Sequence, residues 1–132
     1  MVLVDTSVWL RFLRDELPYA AEMSRLLDND KVAGHELVYG ELLIGDKGGR
    51  ARLLAAYSRM QRMATITHID VVEFVRARRF HGRGAGWIDI HLLASALASR
   101  VELWTADRSL FILASELGIA YEMPNPRPKY LT

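Results

Sequence analysis

The sequence predicts an α/β protein in which helices cover both faces of a parallel sheet. Short aliphatic runs typical of strands alternate with longer segments whose apolar residues recur at helical spacing. No hairpin signal joins the strands, which favours parallel pairing through helical crossovers. The 132 residues, 51% of them apolar, fit one domain with one hydrophobic core.

Two helices follow the first predicted strand. Val2–Val4 is an aliphatic run typical of a buried strand, and Ser7–Arg14 carries apolar residues at helical spacing. Pro18 ends this helix, because proline is tolerated at a helix start but not inside a helix. Ala20–Leu27 is the next predicted helix, and the polar run Asp28–Asp30 ends it.

The middle of the chain continues the alternation. Val32–Ala33 is predicted as a brief strand, and His35–Ile44 as a helix that Gly45 stops. Arg50–Arg62 has the pattern of a longer amphipathic helix. Ala64–Ile69 is rich in β-branched residues, which favours a strand.

The last third of the chain contains the most apolar helix. Asp70 is expected to cap a helix that runs to Phe80, and Trp87–Ser99 should be buried because nearly all its faces are apolar. The remaining predicted elements are a strand at Val101–Thr105, a helix at Asp107–Leu117, a strand at Ile119–Met123 and a proline-rich, extended tail at 124–132.

The composition argues against several classes of protein. The chain has no cysteine, so any metal must be held by oxygen or imidazole ligands. Only three aliphatic residues precede Asp5, and no apolar run approaches the ~20 residues of a membrane helix. We therefore expect a cytoplasmic protein. The formal net charge of +1 does not by itself indicate nucleic-acid binding.

Asp5 and Asp107 each follow a predicted strand and precede a helix. In parallel α/β sheets the functional site lies beyond the carboxyl ends of the strands. Capping of the following helix is the alternative role for both acids, and at Asp107 it is the more common one. At Asp5 the hydroxyls of Thr6 and Ser7 can also cap, so the acid is one polar group more than capping requires.

Two further acids lie on apolar helix faces. Glu41 shares its predicted face with Leu37, Val38 and Ile44, and Asp89 lies in the apolar segment WIDIHLLASAL. A buried acid must be paired, neutralised or bound to a cation. For Asp89 the alternative is a favourable interaction with the helix dipole in the first turn.

Four acids at one sheet edge would favour metal binding. Carboxylates at close range repel, which raises the pKa of some of them. A hard divalent cation relieves this repulsion, and an all-oxygen site suits Mg²⁺ or Mn²⁺. Such an ion engages phosphate oxygens and activates water, so these acids predict chemistry at phosphorus.

The motifs VDTSVW, ELLIG, IDIHLLASAL and TAD follow one another at the spacing of PIN-domain ribonucleases. The chain most resembles the VapC toxins of bacterial and archaeal toxin–antitoxin pairs. This resemblance implies a PIN-like three-layer sandwich with about five parallel strands, the first of them central. It implies that Mg²⁺ or Mn²⁺ is held by four acids and supported by two hydroxyls, namely Asp5, Glu41, Asp89 and Asp107 with Ser7 and Thr105.

The same resemblance implies an activity and partners. The activity is endonucleolytic cleavage of RNA by metal-activated water, and the partners are a second copy of the chain and a small antitoxin that blocks the site. Two departures from the family pattern leave the number of metal ions open. Relatives often carry a further Asp or Asn where Arg108, Ser109 and Leu110 follow Asp107 here, and Ser95 stands where threonine is common.

A basic stretch, RARRFHGRG, contains four arginines. Without the four acids, the net charge of the remainder lies four units above the +1 of the whole chain. Arg76, Arg79 and Arg83 are candidate RNA contacts, as are Arg11 and Arg14 after the first strand, because arginine binds phosphate and stacks on bases. The alternative is a solvated helix face.

Three other functions remain possible from the sequence. A haloacid-dehalogenase-type phosphatase also starts with a strand that ends in Asp, but it needs a second Asp where Ser7 stands. A phospho-receiver needs a paired acid beside the first strand and a lysine after the last, and neither is evident. A PIN-like fold that binds RNA or protein without cleavage is the third alternative.

Overall fold

The computed structural model describes residues 1–124 of the protein. Within them, three parallel strands form the central sheet in the order β2–β1–β3, with bounds β1 (Val2–Val4), β2 (Val32–Ala33) and β3 (Glu102–Trp104). Leu3 of β1 pairs with Ala33 on one side and with Leu103 on the other. The first strand is therefore central, and all three of its residues are buried.

Helices connect and flank the strands. Those of the described part are α1 (Thr6–Leu13), α2 (Tyr19–Asp28), α3 (Glu36–Ile44), α4 (Ala51–Ser58), α5 (His68–Arg78), α6 (Trp87–Ser99) and α7 (Arg108–Glu116). Helix α1 packs against α2 and α3, whereas α6 packs against α5, α7 and strand β3. The prediction of a parallel α/β sheet flanked by helices is confirmed.

The predicted strand at Ala64–Ile69 is wrong. The chain reaches the sheet earlier, where Arg62 forms a single parallel bridge with Gly34. The side chain of Thr67 then caps α5 by accepting a hydrogen bond from the N–H of Asp70 at 3.3 Å. Because of this cap, helix α5 begins inside the β-branched run. Asp70, the predicted cap, lies in the first turn of the helix.

The predicted strand at Ile119–Met123 is reduced to one bridge between Ala120 and Leu103. The N–H of Leu103 donates to the carbonyl of Ile119 at 2.8 Å, and the N–H of Tyr121 donates to the carbonyl of Leu103 at 2.9 Å. Strand β3 is only three residues long, so its outer side offers few pairing positions. Of the predicted tail at 124–132, all but the first residue lies outside the described residues.

The core surrounds β1. Residues 90–96 of α6 are all buried, as its apolar sequence predicts, and the largest fully buried side chains include Trp9, Tyr57 and Trp104. Seven consecutive buried positions cover every face of α6, so the helix is packed on all sides just after the turn that carries Asp89. No helix in residues 1–124 has both the length and the apolar character needed to cross a bilayer.

Candidate active site

Asp5 lies directly after β1, at the carboxyl edge of the sheet. Its N–H donates to the carbonyl of Trp104 at 2.9 Å, which joins it to the end of β3. The side chain is only 2% exposed. Burial raises the pKa of Asp5 and the nearby Asp107 carboxylate raises it further, while hydrogen bonds from the Thr105 and Ser7 side chains and from the Ser7 N–H oppose the rise.

Asp5 is itself the N-cap of α1, because its carboxylate accepts a hydrogen bond from the N–H of Ser7. The sequence allows Asp5, Thr6 and Ser7 to cap this helix, and in the structure the cap is Asp5. The hydroxyl of Thr6 instead donates to Glu41 Oε1 at 2.6 Å, and Ser7 Oγ accepts from the N–H of Ala106 at 2.9 Å.

The turn after β3 holds the second strand-end acid. Thr105 Oγ1 accepts from the N–H of Asp107 at 3.0 Å and lies 3.5 Å from Ser7 Oγ. Asp107 Oδ1 accepts from the N–H of Leu110 at 3.0 Å and so caps α7, while Asp107 remains exposed. The predicted supporting hydroxyls of Ser7 and Thr105 thus connect the two strand ends.

Asp89 lies in the first turn of α6 and is half-buried. Burial, followed by the carboxylates of Asp5, Asp107 and Glu41, raises the pKa of Asp89 to about 6, and a hydrogen bond from the Gly86 backbone opposes the rise. No basic side chain is among these causes. The three other predicted acids therefore all act on the charge of Asp89.

The charges of these acids are not neutralised by any salt bridge within residues 1–124. In the described part of the chain, salt bridges join Arg11 to Glu16, Arg25 to Glu22 and Arg83 to Glu116. None of them includes the four predicted acids. A divalent cation would relieve the repulsion, so the chemistry of this donor set suits such an ion.

The four acids do not form one compact group of side chains. Among residues 1–124, no three acidic or histidine side chains lie close enough to hold one metal ion together. Mg²⁺ is commonly bound through one or two carboxylates, with water and phosphate oxygens as its other ligands. Of the three acids, Asp5 raises the pKa of Asp89 most.

Comparison with known proteins assigns the family. The family model for the PIN domain matches residues 2–116. Over 121 residues the chain is 38% identical to Ribonuclease VapC32 of Mycobacterium tuberculosis, in strains CDC 1551 / Oshkosh and ATCC 25618 / H37Rv, covering 91% of this chain and 95% of that protein. The chain belongs to the VapC family of PIN-domain proteins. The phosphatase and phospho-receiver alternatives, which belong to other families, are thereby excluded.

A solved structure supports the PIN fold. The chain is similar to the crystal structure of PAE2754 from Pyrobaculum aerophilum, with a TM-score of 0.54 over 89% of this chain and 94% of that one. The sequence identity is 18%, so this likeness concerns the fold alone.

The predicted RNA-binding arginines of this VapC protein lie in different places. Arg83 pairs with Glu116 of α7 at 2.9 Å, and Arg76 and Arg79 are exposed at the end of α5. Arg11 is half-buried and lies over a tyrosine ring of α2. Within residues 1–124, no hydrogen bond or salt bridge joins any of them to the four acids.

A basic cavity of the PIN domain adjoins Glu41. It measures about 400 Å³, and its basic lining residues are Arg14, Lys47 and Arg50. The sequence pattern indicates Arg14 as a candidate RNA contact but does not indicate Lys47 or Arg50. Lys47 and Arg50 flank a pair of glycines just after the ELLIG motif, which is the only local signal that could have identified them.

Proposed function

We propose that this protein is a metal-dependent endoribonuclease and the toxin of a toxin–antitoxin pair. The observation that carries the proposal is the group of acids at the carboxyl edge of the sheet, where Asp5 is buried and the charges of three acids act on Asp89. Within residues 1–124 no salt bridge involves any of these four acids. The name of the relative, Ribonuclease VapC32, supports RNA as the substrate.

Asp5 and Asp89 would hold Mg²⁺ or Mn²⁺, with Glu41 and Asp107 completing the negative site. The bound ion would activate water and stabilise negative charge on the phosphate. Hydrogen bonds within the chain hold three of these acids in position independently of a bound ion. Thr6 donates to Glu41 at 2.6 Å, and capping fixes the carboxylates of Asp5 and Asp107 at the starts of α1 and α7.

The basic cavity supports a polyanionic substrate. Arg14, Lys47 and Arg50 line it beside Glu41, which places cationic groups next to the acidic site. Contacts of this kind bind the phosphates of nucleic acids without reading their sequence. The exposed Arg76 and Arg79 are proposed as more distant contacts, while Arg83 is already engaged by Glu116.

The test is an RNA cleavage assay with purified protein in Mg²⁺, in Mn²⁺ and in EDTA. Asp5→Asn and Asp89→Asn remove one candidate ligand each, and asparagine at position 5 still caps a helix. We expect cleavage by the unaltered protein with either metal. Cleavage should be lost in EDTA and reduced by orders of magnitude in both variants.

Glu73→Gln is the matched control, because Glu73 is an exposed acid of α5 whose loss changes the net charge equally. It should cleave like the unaltered protein. Cleavage that persists in EDTA, or in both Asp variants, would contradict the metal mechanism. RNA binding without cleavage would favour the non-catalytic binding module instead.

Three further proposals follow from VapC membership. We propose that the chain acts as one domain in the cytoplasm, forms a homodimer and is blocked by a small antitoxin. Light scattering tests the homodimer, and a monomer at working concentration would contradict it. Co-purification with the product of an adjacent small reading frame, together with inhibition of cleavage by that product, tests the antitoxin.

A further inference from the structure

A second cavity, of about 450 Å³, adjoins Asp107 and differs in character from the basic one. Thr105 and Asp107 line it, so it opens beside the candidate active site. Its other notable lining residues are aromatic or charged, namely Tyr19, Trp104, Phe111 and Tyr121 with Arg108 and Glu122.

We propose that this cavity is a subsite for one unpaired base of the RNA, next to the phosphate that is cleaved. The inference rests on the proposed ribonuclease function and deepens it. Proteins that bind single-stranded RNA stack splayed-out bases on aromatic side chains and contact the adjoining phosphates with basic ones. A cavity that combines aromatic rings with an arginine has the chemistry to do both.

Phe111 offers the stacking surface. Trp104 is only 1% exposed, and Tyr19 stacks on it with ring centroids 6.1 Å apart. The Arg11 guanidinium lies 5.3 Å from the centroid of the Tyr19 ring. Tyr121 packs edge-on against Trp104 and donates its hydroxyl to a carboxylate of α2. Phe111 is half-buried and has no aromatic partner within residues 1–124.

The position of Phe111 on α7 connects the cavity to the acids. Phe111 lies four residues after Asp107 and three after Arg108, so it is a neighbour of both on the surface of the helix. Arg108 is exposed and forms no salt bridge in the described part of the chain. The phosphate of a nucleotide whose base stacks on Phe111 would therefore lie close to Arg108 and Asp107.

The two cavities would recognise different parts of the RNA, one its phosphates and the other a base. The one beside Glu41 carries three basic residues, whereas the one beside Asp107 carries four aromatic residues. Glu122, at the second cavity, is exposed and provides an acceptor for base amino groups. Sequence preference should therefore arise at the Asp107 side and salt-dependent affinity at the Glu41 side.

The test uses the full chain, Mg²⁺ and a pool of short single-stranded RNAs of random sequence, with the cut ends sequenced. The unaltered protein should prefer particular bases at one position beside the cut. Phe111→Leu should lose this preference, and its kcat/KM should fall about 5- to 150-fold, the range expected for one lost base stack. Phe111→Tyr should retain both properties, because it retains the ring.

Ile112→Leu is the matched control, since Ile112 is the next residue on α7, is 41% exposed and does not line the cavity. It should behave like the unaltered protein. A second measurement needs no protein variant: an abasic nucleotide at the preferred position should slow cleavage by the unaltered protein. The same abasic nucleotide should cause no further loss with Phe111→Leu.

Two results would overturn the subsite. One is cleavage by the unaltered protein without any base preference, and the other is a preference that Phe111→Leu leaves unchanged. Either result leaves the ribonuclease proposal standing. Absence of metal-dependent cleavage by the unaltered protein would instead contradict the proposed function, and the subsite with it.

Discussion

At the residue scale, Asp89 carries a charge that the metal-free fold disfavours. We expect Asp89→Asn to raise the free energy of unfolding at neutral pH by about 1–3 kcal/mol, because one pKa unit corresponds to about 1.4 kcal/mol and solvent reduces the effect at a half-buried group. The folded pKa of about 6 lies above the ordinary 3.8. Between these two pKa values Asp89 is protonated in the folded state and ionised in the unfolded state. The stabilising effect of Asp89→Asn should therefore disappear as the pH falls from about 6 to 3.8.

Urea unfolding of metal-free protein across this pH range measures the effect. Glu73→Gln, which removes an exposed acid of α5, should change the free energy of unfolding by less than about 0.5 kcal/mol. An Asp89→Asn variant that is less stable than the unaltered protein at neutral pH would show that the carboxylate is compensated in the fold.

The hydrogen bond of Ser95 could not be predicted from the sequence. The sequence marks it only as a serine at a position where threonine is common. In the structure Ser95 is fully buried, and its Oγ lies 2.9 Å from Nε2 of His35, the residue that caps α3. This partner lies 60 residues away along the chain and is brought near by the packing of α6. No local pattern encodes such a contact.

At the scale of the helix, Asp107 has a capping role and a proposed metal role that substitutions can separate. Asp107→Asn should keep the cap of α7, whereas Asp107→Ala should lose it and cost about 0.5–2 kcal/mol of stability. Both variants remove the carboxylate, so we expect an equal loss of metal-dependent cleavage. Thermal unfolding and the RNA assay measure the two effects independently.

Thr67→Ala is the control for this separation. Thr67 caps α5 in the same way but is not among the acids. Its removal should lower stability with little change in cleavage. If Asp107→Asn cleaves as well as the unaltered protein, Asp107 is a helix cap and nothing more.

Elements were predictable where one signal dominated and not where two competed. Trp87–Ser99 has the predicted bounds because its apolar residues continue without interruption. In Ala64–Ile69 the β-branched residues favour a strand, but the Thr67 cap starts a helix. The predicted helix Arg50–Arg62 ends at Ser58 because the backbone of residues 61 and 63 hydrogen-bonds to Gly34. Local propensity does not contain that tertiary contact.

At the scale of the whole molecule, metal binding should stabilise the fold. With free Mg²⁺ or Mn²⁺ a hundredfold above the dissociation constant, the gain is about 2.7 kcal/mol. For a domain of this size the gain corresponds to a rise in Tm on the order of 10 °C. EDTA should reverse the rise, and Asp89→Asn should abolish it. An equal rise in Asp89→Asn would place the ion elsewhere on the molecule.

The arrangement of the acids follows from topology more than from side-chain geometry. A parallel sheet with β1 at its centre necessarily brings Asp5 and the end of β3 to one edge, so their proximity was predictable. How many acids share one ion depends on rotamers. Glu41, for example, is hydrogen-bonded to Thr6, a contact that sequence spacing does not reveal.

The single bridges at both sides of the sheet bear on colloidal stability. Long, unpaired edge strands are templates for edge-to-edge aggregation between molecules. Here the outermost backbone segments, at residues 62 and 120, pair at one position each and then leave the sheet. An incoming strand from another molecule therefore finds no extended row of free backbone groups at either edge of the described sheet. The described sheet therefore offers little template for edge-to-edge pairing between molecules.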